Sequence, residues 1–130
     1  MGTRVYQEIE NEDGSVERYR KHLNGRGLVA AGASVDPSAY VDSTAYIEAG
    51  ATVGRAAWIG AGSWIDRDAV VGPGSKIGNG VRVGATARIG AAAQVGSHSR
   101  VGEGASVGGG SRLAADTVVA PGQSVSGRAA

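Results

Sequence analysis

The chain has 130 residues, which bounds it to a single domain. Its 23 glycines fall well short of the one-third share of collagen, and its three leucines cannot build a helix bundle. A formal net charge of +1 lacks the charge excess of a disordered chain, and the absence of cysteine removes disulfides, thiolate metal sites and a cysteine nucleophile.

Residues 1–28 come first and carry no repeat. Val5, Gln7 and Ile9, then Val16, Arg18 and Arg20, alternate on either side of Asn11-Glu12-Asp13-Gly14. Alternation around an Asp-Gly turn predicts a short N-terminal β-hairpin. The cluster Arg18-Tyr19-Arg20-Lys21-His22 reads as a solvated strand face, paired in charge with Glu8, Glu10 and Glu12. The start of the chain shows no basic segment leading into an apolar run, and no stretch approaches the ~20 apolar residues of a membrane span. A cytoplasmic protein without membrane contact is therefore expected.

Residues 29–126 are one long repeat. From Val29 to Val125 every sixth residue is aliphatic, 17 positions without an insertion, and all but Leu113 are β-branched. Two residues before each of these anchors stands a second periodic position, nearly always Ala or Ser. Two inward positions separated by one outward residue make a short strand. The other residues of each hexad must then turn the chain. The prolines, Pro37, Pro73 and Pro121, all lie two residues after an anchor, and the next position is glycine in 8 of 17 hexads. Proline presets the start of such a turn, and glycine tolerates the positive φ that follows. A six-residue unit cannot bury its own anchor, so the units must stack into a parallel β-solenoid.

The runs Ile59-Gly60-Ala61-Gly62-Ser63, Val83-Gly84-Ala85-Thr86-Ala87 and Val95-Gly96-Ser97-His98-Ser99 resemble the hexapeptide-repeat (left-handed β-helix) transferase family. The resemblance implies an all-β, left-handed triangular solenoid with three hexads per coil. That gives nearly six coils and a prism roughly 27 Å long at the usual strand spacing. Residues 127–130 are left as a short tail.

With 18 residues per coil, positions 18 apart stack in columns. One outward column reads Tyr40, Trp58, Lys76, Gln94, Arg112, and another reads Leu28, Tyr46, Trp64, Arg82, Arg100, Val118. The aromatics Tyr40, Tyr46, Trp58 and Trp64 thus gather about one corner, as an interface would. The resemblance implies a homotrimer of parallel prisms. Charge also separates along the axis. Residues 36–68 hold five acids against two arginines, and residues 76–112 hold five bases against Glu103. Such polarity admits end-to-end association of prisms. Nucleic acid is not an expected partner, because no aromatics interleave with the arginines.

His98 is the single histidine of the solenoid, in a turn column with Thr44, Gly62, Gly80 and Asp116. In the acyltransferases that the sequence resembles, a histidine in a cleft between subunits serves as general base. The resemblance therefore implies His98 as base; the columns place Asp116 one coil on as its partner, with Arg82 and Arg100 on one side and Arg112 on the other suited to the phosphates of coenzyme A or an anionic acceptor. Zinc-dependent relatives need three histidine ligands, and this chain has only His22 and His98, so no metal is expected. The uninterrupted repeat lacks the projecting loop that the family's enzymes use to cover substrate, and the tail is short. On the sequence, a non-catalytic scaffold or assembly role without a cofactor is the leading expectation. A small CoA-dependent acyltransferase using His98 is the alternative.

Overall fold

The computed structural model describes residues 6–10 and 16–129. The turn expected at Asn11–Gly14 lies outside the described residues. Two antiparallel strands, β1 (Tyr6–Glu10) and β2 (Val16–Lys21), open the fold, with Glu8 opposite Arg18 and Glu10 opposite Val16. Three strands follow as the first rung of a three-sided prism: β3 (Leu28–Ala30), β4 (Ser34–Val35) and β5 (Tyr40–Val41). Each heads a face of parallel strands that recur every 18 residues, as in Leu28↔Tyr46, Ser34↔Thr52 and Tyr40↔Trp58. Among the described residues there is no helix, and so none long and apolar enough to cross a membrane.

The anchors fill the prism as the period requires. Ile47, Ile59, Ile65, Ile77 and Ile89 are buried, as are the small residues two positions earlier. Ser63, Ser75, Ser99 and Ser111 take that small position without leaving a polar atom unpaired. Ser63, for example, donates to the Gly78 carbonyl at 2.6 Å and accepts from the Val81 N–H at 3.0 Å. A hydroxyl is therefore tolerated in an apolar core because the neighbouring coil satisfies it in both directions.

The corners are tight turns. At one of them the Ser99 N–H returns to the Gly96 carbonyl at 3.3 Å, with His98 at φ 63°. Positive φ at the third turn residue is the mark of a type II turn, which also explains proline at the second. Glycine takes this position in many coils, but Ala56, Asp68, Thr86, Ala92, His98 and Asp116 adopt it too. Two corners are built differently. The Asp36 and Asp42 carboxylates accept bonds from the N–H and hydroxyl of Ser38 (3.0 and 2.7 Å) and of Thr44 (3.0 and 2.9 Å). There the side chain two residues earlier holds the turn.

The hairpin continues the β3 face, since β2 pairs antiparallel with β3 through Tyr19↔Ala30, Arg20↔Val29 and Lys21↔Leu28. Here the expected solvated face needs correction. Arg18 and Lys21 are exposed, but Tyr19 and His22 are buried. The Tyr19 hydroxyl donates to the Glu48 carboxylate at 2.6 Å, and its ring meets Tyr46 edge-on at 5.8 Å. Pairing of β2 with β3 lays Tyr19 against the solenoid, and the segment after β2 brings His22 to the Ala39 carbonyl, which the charge pattern did not reveal. Arg128–Ala129 forms a strand beside Arg112–Leu113, in a register of 16 residues instead of 18.

Candidate functional site

The corner that leads from the β5 face to the β3 face carries His98. Its backbone N–H bonds the Asn79 carbonyl at 2.8 Å, and the Asp116 N–H bonds the Ser97 carbonyl at 2.9 Å, so the turn column is laced coil to coil. Side chains reinforce it. The Ala61 N–H donates to Asn79 Oδ1 at 2.9 Å, and the Asn79 N–H to Ser97 Oγ at 3.1 Å. His98 therefore projects from a braced corner and is itself exposed.

Its imidazole lies over Gly80, one coil toward the N-terminus, with the Nδ1–Cε1 edge against the glycine. Asp116 sits one coil on the opposite side. The ring thus rests on the Gly80 side of its coil, and among the described residues no hydrogen bond joins the His98 and Asp116 side chains. Sequence spacing brought these two residues to one column but did not show the lean.

On the β5 face beside this corner is an open concavity of about 290 Å³, lined by Trp58, Lys76, Gln94, Ser97 and Arg112 among others. Arg112 lines this concavity, and His98 is not among its lining residues. Lys76 and Gln94 join it through the same column. Arg82 and Arg100 line a different hollow of about 230 Å³, on the β3 face with Asp66 and Glu103. The Arg82 guanidinium is held by Asp66 at 3.3 Å and lies 4.9 Å from the Trp64 ring centre. The fold therefore divides the three arginines between two faces.

The aromatic columns flank the same corner. Tyr40 stacks on Trp58 at 4.1 Å with 23° between the rings, and Tyr46 meets Trp64 at 6.1 Å. Trp58 remains 49% and Trp64 42% exposed, so contact within each ladder does not cover them. Tyr40 also donates to Asp42 at 3.0 Å, which holds its hydroxyl above the ordinary tyrosine range. Among the described residues no three His, Cys, Asp or Glu side chains converge as metal ligands would.

Residues 56–91 match the family described as Bacterial transferase hexapeptide (six repeats). No curated protein matches the sequence. Among solved structures, a histidine-to-alanine mutant of GDP-perosamine N-acetyl transferase from Caulobacter crescentus, in complex with CoA and GDP-perosamine, is similar. It is 29% identical over 75% of this chain and 46% of its own, with a TM-score of 0.71. PerB from the same organism, with the same two ligands, is 27% identical over 78% of this chain and 50% of its own, with a TM-score of 0.74. The acetyltransferase domain of PglB from Neisseria gonorrhoeae, in complex with acetyl coenzyme A, shares the fold at 24% identity and a TM-score of 0.60, over 77% of this chain and 54% of its own. This chain spans about half the length of each. The unbroken six-residue period, the three-sided parallel stack and these likenesses show a hexapeptide-repeat solenoid that matches the left-handed β-helix fold.

Proposed function

We propose that the protein is a CoA-dependent acyltransferase, with His98 as the general base. The observation that carries this reading is the likeness, at 29% identity over 75% of this chain, to an acetyltransferase bound to CoA. It outweighs the scaffold role that the uninterrupted repeat favoured, for which the likenesses offer no support. The chemistry supplied by the acyl donor is a thioester carbonyl open to attack.

His98 takes the proton of the attacking amine or hydroxyl on its imidazole and then returns it to the departing thiolate. Lys76 and Arg112, cations beside Trp58 in the 290 Å³ concavity, suit the phosphates of the donor or an anionic acceptor. Arg82 and Arg100 serve the second hollow, where Asp66 already engages Arg82. Asp116 lies one coil on, on the other side of His98 in the same turn column.

A single prism leaves His98 open to water. The exposed Trp58 and Trp64 ladders beside it suit contact with a second copy, so that a homotrimer of parallel prisms would wall the corner into a cleft. The test is acyl transfer from acetyl-CoA to a panel of amino and hydroxyl sugars linked to nucleotides. His98→Ala should abolish transfer with the fold and mass intact, and Asp116→Asn should weaken it. A wild-type chain that neither binds nor turns over acetyl-CoA would return the reading to a scaffold.

A further inference from the structure

We infer that Gly80 is a positioning residue for His98, its bare Cα serving as the seat on which the imidazole rests. The inference deepens the acyl-transfer reading and rests on it for its catalytic consequence. The two residues are 18 apart in one corner column, and the ring leans from its own coil onto the preceding one. A Cβ built on Gly80 would stand 2.8 Å from His98 Nδ1 and 3.2 Å from Cε1, closer than packed atoms allow.

The turn alone does not require glycine there. Gly80 has φ 63°, the same value as His98 itself, and Ala56 and Ala92 hold the equivalent corner position at φ 58° and 57°. A side chain at this place is thus compatible with the backbone. What it is not compatible with is the ring above. Gly62 supplies the contrast within the same column. Its φ is 68°, and a Cβ there meets nothing within 4 Å. Thr44, which precedes it, takes no ring over its backbone and instead accepts the Gly62 N–H through its hydroxyl at 2.8 Å.

The atom that an alanine at 80 would strike is the end of a side chain, so the imidazole would swing aside while the corner kept its shape. Resting on glycine, the ring has a fixed direction beside the concavity of Trp58, Gln94 and Arg112. Displacing a base by about 1 Å costs on the order of 100-fold in rate, because proton transfer depends on alignment.

The experiment compares Gly80→Ala with Gly62→Ala, two substitutions of equal backbone demand. Melting by circular dichroism, kcat and KM for acetyl-CoA, and the imidazole resonances of His98, assigned with His98→Ala, are measured for each. Gly80→Ala should move the His98 resonances and lower kcat at least tenfold, with KM within twofold and melting equal to that of Gly62→Ala. Gly62→Ala should leave the resonances and kcat as in the wild type. Unmoved resonances in Gly80→Ala, or equal changes in both variants, would overturn the seat. If the wild-type chain transferred no acyl group, the acyl-transfer reading would fall, and the resonances would decide the seat by themselves.

Discussion

His22 donates from its imidazole Nε2 to the carbonyl oxygen of Ala39 at 2.8 Å, from a side chain only 4% exposed. In later coils the equivalent carbonyl receives a backbone N–H, as Ala57 does from Tyr40 at 2.9 Å. At the first rung there is no preceding coil, and a side chain replaces the missing backbone donor. The same segment supplies the next bonds along β5, from the Gly27 N–H to the Val41 carbonyl at 2.9 Å and from the Val41 N–H to the Asn24 carbonyl at 3.0 Å. His22→Ala leaves the Ala39 carbonyl buried without its donor. The expected loss is about 1–3 kcal/mol of unfolding free energy, read by urea titration.

Stability should fall on the acid side in two separate windows. Burial holds the His22 imidazole below the ordinary histidine value of 6.5, against the opposing pull of its bond to Ala39; Arg20 also lowers it and Asp36 raises it. The native state thus prefers neutral His22. Its contribution is complete above about 6.5 and is lost as pH falls through the lower folded value. Asp36 and Asp42 are held below 3.8, Asp36 chiefly by the Ser38 hydroxyl and Asp42 chiefly by the Thr44 N–H. Their contribution is present above the ordinary carboxylate value and disappears below it. Melting temperature followed from pH 8 to pH 2 should show both steps, and His22→Ala should flatten only the upper one.

These relationships explain what the sequence could and could not disclose. The anchors from Val29 to Val125 specify the core because burial repeats with the covalent period, so Ile65 or Val83 is legible without any knowledge of neighbours. His98 was legible as a lone histidine in a corner, and Arg112 as the end of the column that runs through Lys76 and Gln94. The roles of Tyr19 and His22 depend on which edge the hairpin joins, a long-range pairing that no local period encodes. The seat at Gly80 and the diversion of Arg82 to Asp66 were hidden for another reason. An 18-residue column gives the neighbours of a side chain but not the direction in which it leans.

The register itself is tested by a pair of substitutions two residues apart. Ile65 is fully buried and Arg67 lies exposed in a turn. Ile65→Asp places an uncompensated carboxylate among stacked anchors, at a cost of at least 3 kcal/mol, enough to prevent folding of a domain this size. Arg67→Ala should change stability by about 0.5 kcal/mol or less. Equal losses in melting temperature would contradict the assignment of inward and outward positions.

The aromatic ladders provide a test of assembly. Tyr40–Trp58 and Tyr46–Trp64 present two half-exposed indoles beside the corner of His98. Trp58→Glu combined with Trp64→Glu places charge on both ladders without touching the core. Light scattering should then report a smaller particle than the wild type. An unchanged mass would assign the ladders to something other than contact between copies.

The ends of the prism carry the last prediction. In a translational repeat the C-terminal edge of any coil is by construction the partner of the N-terminal edge of the next, so two exposed ends invite head-to-tail stacking. At the N-terminal end β2 covers β3, and the segment from His22 to Gly27 covers β5, while β4 pairs with no further strand on that side among the described residues. At the other end Arg128–Ala129 covers only one face, and the strands Val118–Val119 and Ser124–Val125 terminate theirs. Deleting residues 1–24 removes β2, His22 and Asn24 together, which bares the β3 edge and leaves β5 only its contact with Arg26 and Gly27. The coils at that end carry Asp36, Asp42 and Glu48, and those at the other carry Arg100, Arg112 and Arg128, so the charges reinforce the match. The truncated protein should therefore grow in mass with concentration. Added salt should reverse the growth in part, since exposed charges are screened over about 10 Å at 0.1 M. A truncated protein of one discrete mass at every concentration and ionic strength would show that the hairpin does not serve as a cap.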